Sequence, residues 1–182
     1  MKTDHKKNTG SSMIEILVTI IILMVGLLGL AGLQGRAMTS QMEAYQRSQA
    51  LILLKDMADR VNANRVDAAS YLATLGTGAA TPASSPTTAD MDKYEWHNSL
   101  LGAAETQGGG NVGAMIGARG CITDTTATAP TGVASQYLIA VAWQGLNSTA
   151  TPSITCGAGQ YGADEKKRRV IAIPVNIGCL TC

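Results

Sequence analysis

The chain has 182 residues, 14 Lys+Arg against 13 Asp+Glu for a formal net charge of +1, 46% hydrophobic residues, only 4% aromatic ones and no Phe. That length predicts one domain with appendages. The balanced charge gives no reason to expect a nucleic acid as the main partner, because such binders usually carry a clear basic excess.

Residues 16–33, Ile-Leu-Val-Thr-Ile-Ile-Ile-Leu-Met-Val-Gly-Leu-Leu-Gly-Leu-Ala-Gly-Leu, hold no charge and a single Thr. As a helix they rise about 27 Å, against a hydrocarbon core of about 30 Å. The preceding MKTDHKKNTG carries three Lys and one Asp. This places the N-terminal end in the cytoplasm and everything after residue 33 on the far side of an inner membrane, so the chain is expected to be single-pass with a periplasmic C-terminal head. The small residues of Ala31-Gly32-Leu33-Gln34-Gly35 leave signal-peptide cleavage open, as does the reading of a plain uncleaved anchor. Neither accounts for Glu15 at the mouth of the apolar run. An ionisable residue costs about 2.5 to 3.5 kcal/mol at mid-membrane and less near the interface, so it marks a functional candidate with a partner to be named. Its bland alternative is an anion at headgroup level, favoured by the helix dipole.

Gly10-Ser11-Ser12-Met13-Ile14-Glu15-Ile16-Leu17-Val18 resembles the processing motif of type IV pilins and pseudopilins. The resemblance implies a basic leader cut between Gly10 and Ser11 by a prepilin peptidase, and N-methylation of the new terminus at Ser11. It also implies that the Glu15 carboxylate meets the N-terminal amine of a neighbouring subunit, where pairing fixes register in an apolar filament core. Family members usually begin the mature chain with Phe, where this chain has Ser11. Their major subunits usually carry a Pro in the apolar helix, whereas here Gly26, Gly29, Gly32 and Gly35 recur every third residue. Each costs about 1 kcal/mol relative to Ala in a helix interior, and the spacing does not line up one GxxxG face. A locally weak helix and a helix permitting close packing are both readings of that pattern.

From Gln34 to about Arg65 the pattern becomes amphipathic, with Ala50, Leu51, Leu54, Met57, Ala58 and Val61 on one face and Lys55, Asp56, Asp59 and Arg60 opposite. Both halves together predict a helix of about 80 Å. Residues 74–90 read as a loop of Gly, Pro, Ser, Thr and Ala. A short helix is predicted over Lys93 to Ala104, with Asp92 and Glu95 as a capping box and Trp96, Leu100 and Leu101 on its apolar side. His97 reads as a surface or satisfied histidine, and Gln107 to Asn111 as a flexible connection without the setting of a phosphate loop.

Three strands are predicted: Gly120 to Thr123, Tyr137 to Trp143 and Arg169 to Val175. In the second, Tyr137, Ile139, Val141 and Trp143 alternate with smaller residues, and Pro174 puts the third at a sheet edge. The fold class is therefore α+β, a long N-terminal helix packed on a small antiparallel sheet. Ala118-Arg119-Gly120-Cys121-Ile122, Tyr137 to Gly145, Cys156-Gly157 and Arg168-Arg169-Val170 resemble the C-terminal pattern of PilV-type minor pilins. The implied organisation is a leader over 1–10, a transmembrane and filament-core helix over 11–33, and its amphipathic continuation over 34–65. A connecting region over 66–118 and a sheet with disulfides over 119–182 follow.

Cys121, Cys156, Cys179 and Cys182 all lie beyond the apolar run, in an oxidising compartment, so disulfides are expected. Of three pairings, Cys121 with Cys156 and Cys179 with Cys182 are favoured: the first staples neighbouring strands and the second closes a small terminal loop. The Cys-x-x-Cys terminus leaves a redox site, or half of a zinc site, as alternatives. Lys166-Lys167-Arg168-Arg169 follows Asp164 and Glu165 and reads as a solvated turn rather than a DNA-binding patch. No catalytic triad, HExxH, carboxylate pair in a plausible pocket or nucleotide loop is present. The expected role is thus non-catalytic and free of cofactor or metal: a minor pilin in type IV pilus initiation and assembly. Its expected partners are other minor pilins, the major pilin, the prepilin peptidase/methyltransferase and the inner-membrane assembly platform, with the pilus and cell surface as destination. A type II secretion pseudopilin, or a tip subunit for adhesion or DNA uptake, is the alternative.

Overall fold

A computed structural model describes residues 12–103, 106–111, 113, 115–128 and 133–178. Gly10, Ser11, Cys179 and Cys182 lie outside the described residues. The chain falls into two units, one ending at Gln41 and the other beginning at Met42.

Helix α1 runs from Met13 to Ala63. In the first unit every large apolar side chain from Met13 to Leu33 is exposed, and an 18-residue window reaches a mean hydropathy of 2.8. This helix is long and apolar enough to cross a membrane. Its two threonine hydroxyls bond back to the helix: Thr19 donates to the Ile16 carbonyl at 2.8 Å and Thr39 to the Gly35 carbonyl at 3.0 Å. Open space surrounds Gly26, Gly29, Gly32 and Gly35, and the helix passes through all four without a break.

In the second unit α1 buries Gln46, Ala50, Leu54, Met57, Ala58 and Val61. Leu51, expected on this face, is instead half exposed. It lies one residue past Ala50, about 100° around the helix, and so falls on the rim. A 3-10 turn, Arg65–Tyr71, follows and leads into strand β1, Ala73–Gly76. Helix α2 spans Thr88–Leu100, and a two-residue hairpin, β2 (Thr106–Gln107) and β3 (Gly110–Asn111), replaces the expected flexible connection. Strands β4 (Ile116–Asp124), β5 (Val133–Gln144) and β6 (Arg168–Gly178) complete the unit. The main sheet is antiparallel throughout, in the order β1-β4-β5-β6, with Pro174 on an edge strand.

Two expectations are corrected here. The 74–90 segment is not all loop, because Ala73 to Gly76 pairs with Ile122 to Arg119 as an edge strand. Helix α2 also starts five residues earlier than predicted. Its N-cap is Thr87, whose hydroxyl oxygen accepts the Asp90 N–H at 3.1 Å, so the cap is Thr87 with Asp90 and not Asp92 with Glu95. Leu101 lies beyond the helix at its C-cap, with Trp96 and Leu100 buried on the apolar side.

The register makes two layers of core. Tyr137, Ile139, Val141 and Trp143 of β5 join Ile122, Val175, Trp96 and the buried face of α1. Ala140 and Ala142 point to the opposite face, where they pack with Cys121, Cys156 and Tyr161. The small residues of β5 therefore lie beneath a second layer, formed by the segment around Ile154 to Tyr161. Gly120 faces the helices, and a Cβ there would lie 2.3 Å from the Trp96 ring, so only glycine lets α2 approach β4 this closely.

Candidate functional site

Glu15 stands in the first turn of α1, and its N–H donates to the Ser12 carbonyl at 2.9 Å. The side chain is exposed among exposed apolar neighbours. A carboxylate at this end of a helix is favoured by the dipole, and residues 16–33, without charge and with Thr19 as their single hydroxyl, offer an exposed apolar surface for lipid or for other helices.

In the second unit, charge is used to tie elements together. Arg60 of α1 reaches Asp56 at 3.0 Å on its own helix and Asp92 and Glu95 of α2 at 2.7 Å each. Asp56 and Arg60 are thus only partly solvated, and the two carboxylates expected to cap α2 clamp it to α1 instead. Burial opposes the Arg60 charge, but the hydrogen bonds it donates to Glu95, Asp92 and Asp56 more than offset this and raise its pKa. Tyr71 donates to Asp92, and burial followed by that bond pushes its phenol up to about 12. His97 is buried and its Nδ1 accepts the Gly76 N–H at 3.1 Å, which makes it a satisfied core histidine. Burial pulls its pKa below the ordinary value.

Cys121 and Cys156 form a disulfide with Cα atoms 5.8 Å apart. This bond rules out a zinc site built from all four cysteines, since two thiolates are consumed. Among the described residues no group of three or more His, Cys, Asp or Glu could hold a metal ion. The disulfide pins the Ile154 to Tyr161 segment onto the sheet, and the Tyr161 hydroxyl adds a 2.7 Å bond to the Gly117 carbonyl.

The run Lys166 to Arg169 is not a solvated turn throughout. Arg168 is buried, ion-paired with Glu165, and donates to the carbonyls of Pro152, Ile154 and Cys156. Arg169 donates to Asn147 O at 2.6 Å and Thr149 Oγ1 at 2.7 Å, and meets Glu43 of α1 at 3.5 Å. Only Lys166 and Lys167 remain at the surface. The clue to Arg168 is strand parity: it shares a face with Val170 and Ala172, which both line the second layer. A charge count along the sequence does not reveal it.

A concave pocket of about 380 Å³ opens beside this tie, lined by Glu43, Ala44, Arg47, Trp143, Gly145, Arg169, Val170 and Ile171. Among the described residues the Arg47 guanidinium makes no hydrogen bond or ion pair, so the pocket carries one uncompensated positive charge beside an apolar wall.

No curated protein and no solved structure matches this chain. Residues 32–93, about a third of the chain, match the family model described as type IV pilin Tt1218, of the Tt1218-like group. The match covers α1 from its last apolar residues to its end and continues into α2. That similarity supports the type IV pilin superfamily and a structural role in pili, and the long helix on a four-stranded antiparallel sheet is consistent with a type IV pilin fold.

Proposed function

We propose that the protein is a minor pilin of the PilV type, which acts in initiation and assembly of a type IV pilus and performs no catalysis. The observation that carries this reading is the family match over residues 32–93 on a helix whose preceding segment exposes an unbroken apolar surface. A water-soluble helix does not leave every large side chain from Met13 to Leu33 exposed; one that moves from lipid to a filament core does.

In this reading the leader over 1–10 is removed after Gly10, and Ser11 supplies the methylated terminus. Residues 11–33 hold the protein in the inner membrane with the head in the periplasm, 34–65 carry the helix into that head, 66–118 connect and 119–182 form the stapled sheet. Glu15 pairs with the N-terminal amine of a neighbouring pilin during assembly. A charge buried without a partner is costly, so the pairing sets register rather than adding general adhesion. Cys179 and Cys182 close a terminal loop.

The test is the mass and N-terminus of the full protein taken from membranes with and without the prepilin peptidase. A chain starting at methylated Ser11 only when the peptidase is present supports the reading, and one starting at Met1 or cut after the apolar run overturns it. Glu15→Ala is expected to be processed normally but lost from filaments; normal incorporation defeats the pairing role. Loss of surface pili on deletion, with secretion of exoproteins intact, separates this role from that of a secretion pseudopilin.

A further inference from the structure

The outer face of the sheet carries another hollow, of about 320 Å³, between the strands and the segment pinned by the disulfide. Strand parity sets what lines it. Arg119, Cys121 and Thr123 alternate onto this face of β4, Thr74 of β1 lies opposite Cys121, and Leu138 and Ala140 of β5 lie opposite Thr123 and Cys121. Ile154, Thr155 and Gln160 close it from the side of the pinned segment. The hollow thus combines one guanidinium, three hydroxyls and an amide with an apolar wall of Leu138, Ala140 and Ile154.

The guanidinium keeps donors to spare. Its Nη2 donates to Gln160 Oε1 at 3.0 Å, and its buried Nε has no acceptor. A Cβ on Gly78, which stands at a φ of 77°, would come within 3.0 Å of Nη1 and 3.1 Å of Nη2, so the turn after β1 leaves the guanidinium uncovered on that side because it has no side chain there. The hydroxyls are similarly unspent. Thr74 and Thr155 bond through their side chains to no described residue, and Thr123 donates only over 3.4 Å, to the Leu138 carbonyl.

Among the described residues no acid answers Arg119. Neither β1, the 77–87 turn, β5 nor the 154–161 segment contains a charged residue. Of the acids on the flanking elements, Glu165 pairs with the buried Arg168 and Asp164 meets Lys166. Asp124 accepts the Thr126 N–H from the opposite parity of β4, about 17 Å along the strand from Arg119. Arg47, Arg65 and Lys167 also lack an ion pair with any described residue of this unit, but they are exposed to water, whereas Arg119 is half-buried. A half-buried cation without a counter-ion, facing a hollow, favours an anion there.

We propose that this hollow binds a small sugar acid of the hexuronate class. The carboxylate takes the Nη edge of Arg119, the ring hydroxyls bond to Thr74, Thr123, Thr155 and the Gln160 amide, and the C–H face of the ring lies on the apolar wall. A bare oxyanion leaves the hydroxyls and the wall unused, and a neutral sugar leaves the guanidinium unpaired. The site lies wholly in the second unit, so it stands or falls apart from the processing reading above.

The experiment titrates sodium D-glucuronate into the full-length protein in mild detergent and reads saturation transfer at the sugar protons, with detergent alone as the blank. Saturable binding is expected, about tenfold or more tighter than that of D-glucose or inorganic phosphate measured by competition. Arg119→Gln is expected to weaken it about tenfold or more. Ala158→Trp, at an exposed position lining the hollow, should block it with Arg119 in place. Mass measurement of the Cys121 to Cys156 disulfide and protease resistance confirm that each variant is folded. No saturable binding, equal affinity for glucose or for phosphate, or binding that survives either substitution in a folded chain overturns the proposal.

Discussion

Arg60 and Asp92 lie 32 residues apart in sequence and meet at 2.7 Å, with the Arg60 side chain 26% and the Asp92 side chain 15% exposed. The same Asp92 accepts the Tyr71 hydroxyl, so one carboxylate joins α1, the following 3-10 turn and α2. Replacing Arg60 by Met leaves that carboxylate half-desolvated without its counter-ion. A fully buried pair broken in this way loses about 3 to 5 kcal/mol, and an exposed one at most about 1. For these partly buried partners a loss of about 2 kcal/mol is expected. Urea unfolding of the full chain in detergent, followed by tryptophan fluorescence, measures it, since both Trp96 and Trp143 lie in this unit.

Gly120→Ala tests the close approach of α2 to β4. The added methyl would meet the Trp96 ring at 2.3 Å and Leu100 Cδ1 at 2.7 Å. Overpacking of this kind costs about 1 to 3 kcal/mol, and the upper end is expected because Trp96 is also held by a 2.9 Å bond to the Leu53 carbonyl. Gly35→Ala, where the space is open, serves as the control: nothing is overpacked there, and helix propensity predicts no loss of stability, with a gain of at most about 1 kcal/mol.

Reducing the disulfide, or Cys156→Ser, is expected to remove about 4 kcal/mol, the loop-closure value for a separation of 35 residues. The loss should appear first in the outer layer. Hydrogen exchange is expected to rise at Ile154 to Tyr161 before it rises in β5, whose amides are paired on both sides.

His97 makes the fold sensitive to acid. Its Nδ1 accepts a backbone N–H, which requires an unprotonated ring, and burial lowers its pKa in the folded state. The unfolded chain therefore binds the proton more readily. The contribution of His97 to stability is complete above the ordinary histidine pKa of about 6.5 and declines as pH falls below it towards the lower folded value. His97→Gln, measured at pH 7.5 and pH 5, should lose part of that pH dependence. An unchanged difference between the two pH values would remove the role assigned to the ring.

Much of the architecture is legible before any coordinate. The uninterrupted run from Ile16 to Leu33 and the spacing of Ala50, Leu54, Met57, Ala58 and Val61 define α1, because each obeys one simple periodicity. The alternation from Tyr137 to Trp143 defines β5 for the same reason. Where partners decide the outcome, the sequence is silent. Ala73 to Gly76 has the composition of the loop that follows and is a strand only because β4 pairs with it. Asp92 with Glu95 reads as a capping box on paper, but Arg60, over 30 residues away, draws both carboxylates to α1, and Thr87 with Asp90 caps the helix instead. Of the candidate site, Glu15 is conspicuous because a charge borders an apolar run, whereas the burial of Arg168 shows only once the register of β6 on β5 is known.

The burial of both sheet faces leaves only two edges through which the sheet could recruit another strand. One is β1, just four residues long and ended by Gly76 at a φ of 90°. The other is β6, where Pro174 removes an amide that a docking strand would need. Neither edge can run far as a template. The second unit can therefore be concentrated without its sheet joining others edge to edge into fibrils, and any contact it makes is left to side chains, where it can be selective and reversible.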